Sequence, residues 1–163
     1  MKHQSPDFNV HMPRLPGPGL DRWAHAQLSP WTLGVSTASL RMAFDDWLMH
    51  LSFNPSEQLD LLQKAWQGGQ QLAAFAMRAH ELDCLPCIEP LWHDPRFAHA
   101  SWKTWPFNLI SQSFLMTQHW WHLASTGVRG VSPHHEAVVD FTVRQILDMV
   151  SPANFVLSNP EVL

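Results

Sequence analysis

Apolar residues recur every three or four positions in four stretches of this chain, and that spacing limits what the chain can fold into. Residues spaced in this way lie along one face of an α-helix. In the first stretch, which begins at Ser36, they are Leu40, Phe44, Trp47, Leu48 and Leu51. No run of residues alternates between apolar and polar in the way that a strand demands. The sequence therefore predicts a mainly α protein.

The second predicted helix has the sharpest start. Asn54 can act as its N-cap, Pro55 suits its first position, and Glu57 would complete a capping box. Its apolar face continues to about residue 81 and comprises Leu59, Leu62, Trp66, Ala73, Ala76 and Met77. Gly68 and Gly69 lie inside this helix, and each costs about 1 kcal/mol relative to Ala. We therefore expect a break or a close helix contact there.

Two further helices follow an irregular segment that is interrupted by Pro86, Pro90, Pro95 and Pro106. The third helix is predicted from Phe107 to Thr126, with Gly127 just after its end. The fourth begins at Pro133, with Ser132 as its cap, and continues to about residue 149. The expected architecture is two helical hairpins, about four helices in all, joined by a proline-rich irregular segment after a flexible N-terminal arm.

The chain divides into three predicted regions. Residues 1–28 have four prolines in the first 18 positions and no periodicity, which predicts the flexible arm. Residues 29–82 form the first hairpin. Residues 83–163 form the last region, which contains the irregular segment and the second hairpin. Asn159, Pro160 and Glu161 repeat the pattern of a helix start, and only two residues follow. Because so short a helix is not stable alone, we expect the last region to be truncated.

Composition and charge exclude several classes of function. The 10 Lys and Arg residues are scattered and the net charge is −4, which argues against nucleic-acid binding. No apolar run approaches 18 residues, so no transmembrane segment is expected. The first residues lack the apolar stretch of a signal peptide. Two Cys are too few for a disulfide framework, so we expect a cytoplasmic location.

One group of candidate metal ligands comprises His80, Cys84, Cys87 and His93. The C-x₂-C spacing would let two thiolates share a zinc ion. The spacing to either His matches no strong structural zinc pattern, so two incidental thiols are the favoured interpretation. Nearby acidic residues would raise the pKa of either thiol, which argues against a redox pair.

The residues required for nucleophilic catalysis or phosphate binding are missing from the sequence. There is no G-x-S-x-G or G-x-C-x-G turn to present a nucleophile, and the Gly pair is not followed by the Lys of a phosphate-binding loop. The histidine pairs His119/His122 and His134/His135 match no metal motif either. On these residues alone the chain is not expected to be an enzyme or to hold a cofactor.

Nine tryptophans give this chain an unusual aromatic content. Trp47 and Trp66 fall on the predicted apolar faces, so core packing is their first interpretation. Trp120 and Trp121 are adjacent and point about 100° apart around a helix, so both cannot face one narrow core. We therefore expect part of this aromatic surface to contact another domain or a partner.

Three longer motifs follow one another along the chain. The first is D-W-x-x-H-L-x-x-x-P at Asp46–Pro55. The second is D-x-R-F-x-x-x-x-W, which contains Asp94, Arg96, Phe97 and Trp102. The third is F-x-x-R-Q-x-x-D-x-x-S-P-x-N-F-x-x-x-N-P, which ends with Asn154, Phe155, Asn159 and Pro160. In this order they resemble the N-terminal region of the polyhydroxyalkanoate synthases, the poly(3-hydroxybutyrate) polymerases, over about residues 28–163.

The resemblance implies a family of acyltransferases that condense (R)-3-hydroxyacyl-CoA into polyester on cytoplasmic granules. In that family a Cys nucleophile, an Asp and a His lie on an α/β-hydrolase domain that follows the third motif. The 163 residues of this sequence do not contain that domain. Cys84 and Cys87 precede the second motif and lack flanking glycines, so neither takes the role of the nucleophile. A thioester-forming Cys is ordinary acyl-transfer chemistry.

What the resemblance implies for this chain is therefore a non-catalytic role. The expected roles are dimerisation, contact with phasins or the polyester granule surface, and support of the catalytic domain or of a synthase subunit. The motif residues are expected to be structural. The alternative is a self-standing helical binding module with a metal at His80, Cys84, Cys87 and His93.

Overall fold

The computed structural model describes residues 36–81, 84–90 and 94–163, together with Gly19 and Trp23. It contains the helices α1 (Thr37–Phe53), α2 (Pro55–Ala76), α3 (Phe107–Ser125) and α4 (Pro133–Met149). Short 3-10 turns lie at Pro95–Phe97, Ala100–Lys103 and Pro152–Asn154. No strand occurs in these described ranges. The mainly α prediction is confirmed, whereas the predicted arm over residues 1–28 lies outside the described residues apart from Gly19 and Trp23.

Contacts divide the chain into Met1–Ser36 and Thr37–Leu163, and all four helices belong to the second unit. Within that unit, α3 packs against α2 and α4, and α1 packs more closely on α4 than on its hairpin neighbour α2. Two tryptophan side chains join helices through polar contacts. Trp47 Nε1 donates to the backbone oxygen of Ala124 at 2.9 Å. Trp120 Nε1 donates to the backbone oxygen of Leu61 at 3.0 Å.

The irregular segment between α2 and α3 supplies half of the main apolar core. Phe97 and Trp102 from this segment pack with Phe114 and Leu115 of α3. The rings of Phe97 and Trp102 meet edge to face, with centroids 4.8 Å apart, an arrangement that stabilises aromatic pairs. The prolines of this segment prevent long helices, but the segment still folds back to bury its aromatic residues.

The predicted apolar face of α2 does not face the core. The buried residues of α2 are Leu61, Gly68 and Phe75, whereas Leu59, Leu62 and Trp66 are 65–69% exposed. The sequence carries two apolar stripes on this helix, and the stripe with the larger side chains was the wrong one to choose as the core. The helix is not broken at the glycines. Gly68 instead allows a close contact, since a Cβ there would lie 3.0 Å from Met116 Sδ.

Several helix ends follow the predicted residues, but α2 ends at Ala76 rather than near residue 81 and does not begin with the predicted cap. Ser132 Oγ accepts the backbone N–H of His135 at 3.2 Å and so caps α4, and Gly127 after α3 has a φ of +74°. Asn54 does not cap α2 with its side chain. Its side-chain amide donates instead to the backbone oxygens of His50 at 2.7 Å and of Arg129 at 3.0 Å. The predicted capping box is therefore wrong, because Asn54 holds the turn between helices instead.

Among the helices that the structure describes, none combines the length and the apolar character that crossing a membrane requires.

Candidate functional site

The second and third sequence motifs meet in one ionic cluster around Arg96. Its guanidinium donates to both carboxylate oxygens of Asp94, at 2.8 Å from Nε and 2.6 Å from Nη2. Its Nη1 donates to Asp148 Oδ1 of α4 at 2.7 Å. Asp94 also caps the turn at Pro95–Phe97, since its Oδ1 accepts the backbone N–H of Arg96 at 3.1 Å. The planar fork of an arginine suits such paired contacts to two carboxylates. We call these three residues the Arg96 cluster.

Asp94 is the shielded member of the Arg96 cluster, whereas Asp148 is 37% exposed. The side chains of Arg96 and Asp94 are 24% and 8% exposed. The hydrogen bonds that Arg96 donates to Asp94 raise the pKa of Arg96 above its usual value, against the opposing effect of burial. The guanidinium also lies over the rings of Phe97 and Phe114, at 5.9 Å and 5.5 Å from their centroids. The cluster therefore joins the aromatic core to the C-terminal end of α4.

The last motif residues extend this cluster towards the end of the chain. Asn154 Nδ2 donates to the backbone oxygen of Asp148 at 2.7 Å. Asn159 Nδ2 donates to the backbone oxygen of Ala153 at 2.8 Å. Trp102 is buried, and its Nε1 donates to Glu161 Oε1 at 2.9 Å. Phe155 is 51% exposed and Pro160 is half-buried. Most of these side chains hold neighbouring backbone in place, and none of these contacts presents a reactive group to solvent.

The first motif forms a second polar cluster, at the other end of α4. Asp46 Oδ2 accepts the backbone N–H of Ser132 at 3.3 Å and lies 2.7 Å from His135 Nδ1. His50 Nδ1 lies 3.1 Å from the other carboxylate oxygen of Asp46. The contact with His135, followed by the N–H of Ser132, lowers the pKa of Asp46. We call these four residues the Asp46 cluster.

A cleft of about 410 Å³ lies against α3 and α4, and its polar lining includes Cys87, His119, His122, Asp140 and Arg144. His122 Nδ1 lies 2.9 Å from Asp140 Oδ1, which also accepts the hydroxyl of Ser125 at 2.8 Å. Cys87 Sγ donates to Gln112 Oε1 at 3.0 Å, and burial raises the pKa of this thiol. A protonated thiol that points at an amide oxygen is a poor nucleophile.

Gln112 was missed by the sequence analysis, although it organises the segment before the second motif. Its Oε1 accepts the backbone N–H groups of Cys87 and Ile88, each at 2.8 Å. Its Nε2 donates to the backbone oxygen of Ile88 at 3.0 Å. The available signal was a polar residue within the apolar face of α3. A buried side-chain amide needs hydrogen-bond partners, and backbone groups outside helices and strands can supply them.

The structure does not group the three described candidate ligands, His80, Cys84 and Cys87, around a site for a metal ion. His80 is exposed and Cys84 and Cys87 are free thiols, while His93 lies outside the described residues. Within the described ranges, no three His, Cys, Asp or Glu side chains are grouped to hold a metal ion.

Two family models match the regions that contain these clusters. The model described as "Poly-beta-hydroxybutyrate polymerase (PhaC) N-terminus" matches residues 93–163, which include the Arg96 cluster. The model described as "Poly-beta-hydroxybutyrate polymerase N terminal" matches residues 16–57, which include Asp46 and His50.

The chain is also similar to curated proteins. It is 33% identical over 129 residues to the poly(3-hydroxyalkanoate) polymerase of Methylorubrum extorquens, which covers 78% of this chain and 21% of that protein. It is 34% identical over 71 residues to the poly(3-hydroxyalkanoate) polymerase subunit PhaC of Rhizobium meliloti (strain 1021), which covers 43% of this chain and 12% of that protein. The chain thus spans about a fifth or less of the length of these relatives. No solved structure is significantly similar to it.

Proposed function

Since the chain belongs to the poly-beta-hydroxybutyrate polymerase family through its N-terminal region, we propose that it is the non-catalytic part of a polyhydroxyalkanoate synthase. In this proposal the whole synthase transfers (R)-3-hydroxyacyl groups from CoA to a growing polyester. These residues support that reaction by making contacts, namely dimerisation and contact with the catalytic domain, phasins or the granule.

The observation that supports this proposal is the set of contacts that the motif residues make. Arg96, Asp148 and Asn154 bond to one another and to backbone, and Asp46 and His50 do the same at the other end of α4. Polar groups that are engaged in such hydrogen bonds and ion pairs stabilise the fold and are not free to react with a substrate. The raised pKa of Cys87 and its contact with Gln112 support the same conclusion about the thiol.

The surface beside the Arg96 cluster is the proposed contact with the catalytic α/β-hydrolase domain. Met149, Val150, Phe155, Val156 and Leu157 are 51–88% exposed there. Contiguous apolar side chains on a surface are typical of a protein–protein contact. We name these five residues the C-terminal apolar surface. The hydrogen bonds of Asn154 and Asn159 hold its backbone in place.

The test uses a chimera in which this chain replaces the matching region of the Methylorubrum extorquens relative. We expect the chimera to release CoA from (R)-3-hydroxybutyryl-CoA and the 163-residue chain alone to release none. Substituting Val156→Glu and Leu157→Glu in the chimera should lower CoA release severalfold, because charge on an apolar contact costs free energy.

The matched control is Glu136→Gln, a polar change in the first turn of α4, which should leave CoA release unchanged. Release of CoA by the chain alone would refute the non-catalytic role. A chimera that tolerates both glutamates would refute the proposed use of the C-terminal apolar surface.

A further inference from the structure

Helix α2 carries two apolar faces on opposite sides, and the fold uses one of them. Leu61, Gly68 and Phe75 are the buried residues of α2. At about 100° per residue, five other apolar residues fall within an arc of about 60° on the opposite side. We call them the outer stripe: Leu59, Leu62, Trp66, Ala73 and Met77. The four large members are 65–78% exposed.

The shape of the outer stripe favours another helix as its partner over a lipid or polymer surface. A narrow apolar stripe with spacings of three and four is the seam by which helices pair, whereas surface-binding helices carry a broader apolar face with many Lys and Arg beside it. Lys64 is the single basic residue within α2. Near the middle of the stripe, Gly69 has no neighbour within 4 Å of where a Cβ would lie, so another backbone could approach closely there.

The order of residues along the stripe is complementary to itself. Trp66 and Ala73 lie equally far from the midpoint between Gly69 and Gln70, and so do Leu62 and Met77. Consider an antiparallel pair with a two-fold axis at that midpoint. Two residues that lie equally far from the midpoint then face each other, one from each copy. The large Trp66 therefore meets the small Ala73 of the other copy.

We propose that the outer stripe of α2 binds the outer stripe of a second copy of this chain, antiparallel, about a two-fold axis near Gly69. Residues 58–92 lie outside both matched family regions, so neither family model describes the stripe. The inference rests on the dimerisation role proposed above and names its surface and register.

The decisive experiment introduces single thiols into the full chain after Cys84→Ser and Cys87→Ser have removed the native ones. Gly69→Cys places the introduced thiols within about 1.5 Å of each other along the helix axis, whereas Leu59→Cys on the same stripe leaves them roughly 32 Å apart. We expect mild oxidation to produce a covalent dimer with Gly69→Cys and none with Leu59→Cys. Cross-linking of both would indicate a parallel pair and overturn the register. Cross-linking of neither would overturn the pairing.

Sedimentation equilibrium of the unmodified chain provides a second measurement. Trp66→Glu should weaken self-association about thirtyfold, as expected for a buried interface tryptophan, with helicity unchanged because this side chain is exposed. A chain that stays monomeric at high concentration would refute the pairing. Activity of the chimera is measured separately, so this result would leave the other proposed contacts standing.

Discussion

Helix α4 is fastened at both ends by motif residues, and the two fastenings use different chemistry. At its N-terminal end, the carboxylate of Asp46 binds the backbone N–H of Ser132 and contacts His135. At its C-terminal end, Asp148 binds the guanidinium of Arg96. Each partner brings the charge that the helix dipole favours, an acid at the start and a base at the end.

The difference between the two clusters lies in charge permanence and in the shielding of Asp94. Asp148, which joins Arg96 to α4, is 37% exposed. Arg96 stays protonated at every pH at which proteins fold, and Asp94 beside it is 8% exposed. The Asp46 cluster depends on a carboxylate and two imidazoles, and Asp46 and His135 are 23% and 25% exposed. The Arg96 cluster should therefore contribute more to stability, and the Asp46 cluster should contribute an amount that changes with pH.

The largest effect is expected from Arg96→Ala. Removing one partner of a shielded ion pair leaves the other charge without compensation and costs about 3 kcal/mol or more. Here it would leave the shielded Asp94 carboxylate without its cation. Urea unfolding followed by circular dichroism measures the change. The matched control is Arg41→Ala, whose pair with Asp45 is exposed on α1 and should be worth less than about 1 kcal/mol. Equal losses from both variants would show that shielding does not distinguish them.

A smaller loss is expected from Gly130→Ala, beside the Asp46 cluster. Gly130 has a φ of +100°, and a Cβ there would lie 2.3 Å from Cδ2 of His50. Backbone strain of this kind costs about 1–3 kcal/mol, and displacement of His50 adds to it. Gly127→Ala is the matched control, because its φ is +74° but no atom lies within 4 Å of the new Cβ. If the two variants unfold alike, His50 is not held against Gly130.

A loss of about 1–2 kcal/mol is expected from Trp102→Phe, because the substitution removes one hydrogen bond and the part of the buried indole that a phenyl ring does not fill. The substitution keeps an aromatic ring against Phe97 but removes the bond from Nε1 to Glu161. Glu161→Gln can still accept this bond through its amide oxygen and should cost less. Thermal unfolding of the two variants tests this order. If Glu161→Gln destabilises the chain more than Trp102→Phe, the charge of Glu161 contributes more to stability than the hydrogen bond.

The sequence predicted the helices better than it predicted their contacts, and the two clusters explain why. Ser132 and Gly127 act within a few residues of themselves, so local rules found them. The contacts of Arg96 with Asp148 and of Asp46 with His135 join residues 52 and 89 positions apart, and no local rule connects them. The resemblance identified the motif residues without assigning their partners.

The wrong choice of buried face on α2 has a related cause. Hydrophobic periodicity shows that a stripe exists, but it does not say whether the partner is the same chain or another molecule. Leu61, Gly68 and Phe75 form the less conspicuous stripe because Gly68 contributes no side chain, yet the close approach to Met116 requires that small residue. The stripe with the larger side chains remained exposed.

The smallest change is expected from Asp46→Asn, and its pH dependence carries the information. The pKa of Asp46 lies below its usual value of 3.8, so its contacts stabilise the fold above about that pH. This contribution is lost as the pH falls through the folded-state pKa. The difference in unfolding free energy between the original chain and Asp46→Asn should therefore shrink as the pH falls below about 4. Asp45→Asn, next to it but 65% exposed, should show almost no difference in that range. A constant difference for Asp46→Asn down to pH 2 would mean that its carboxylate charge does not hold the start of α4, and that the two ends of this helix differ less than their chemistry implies.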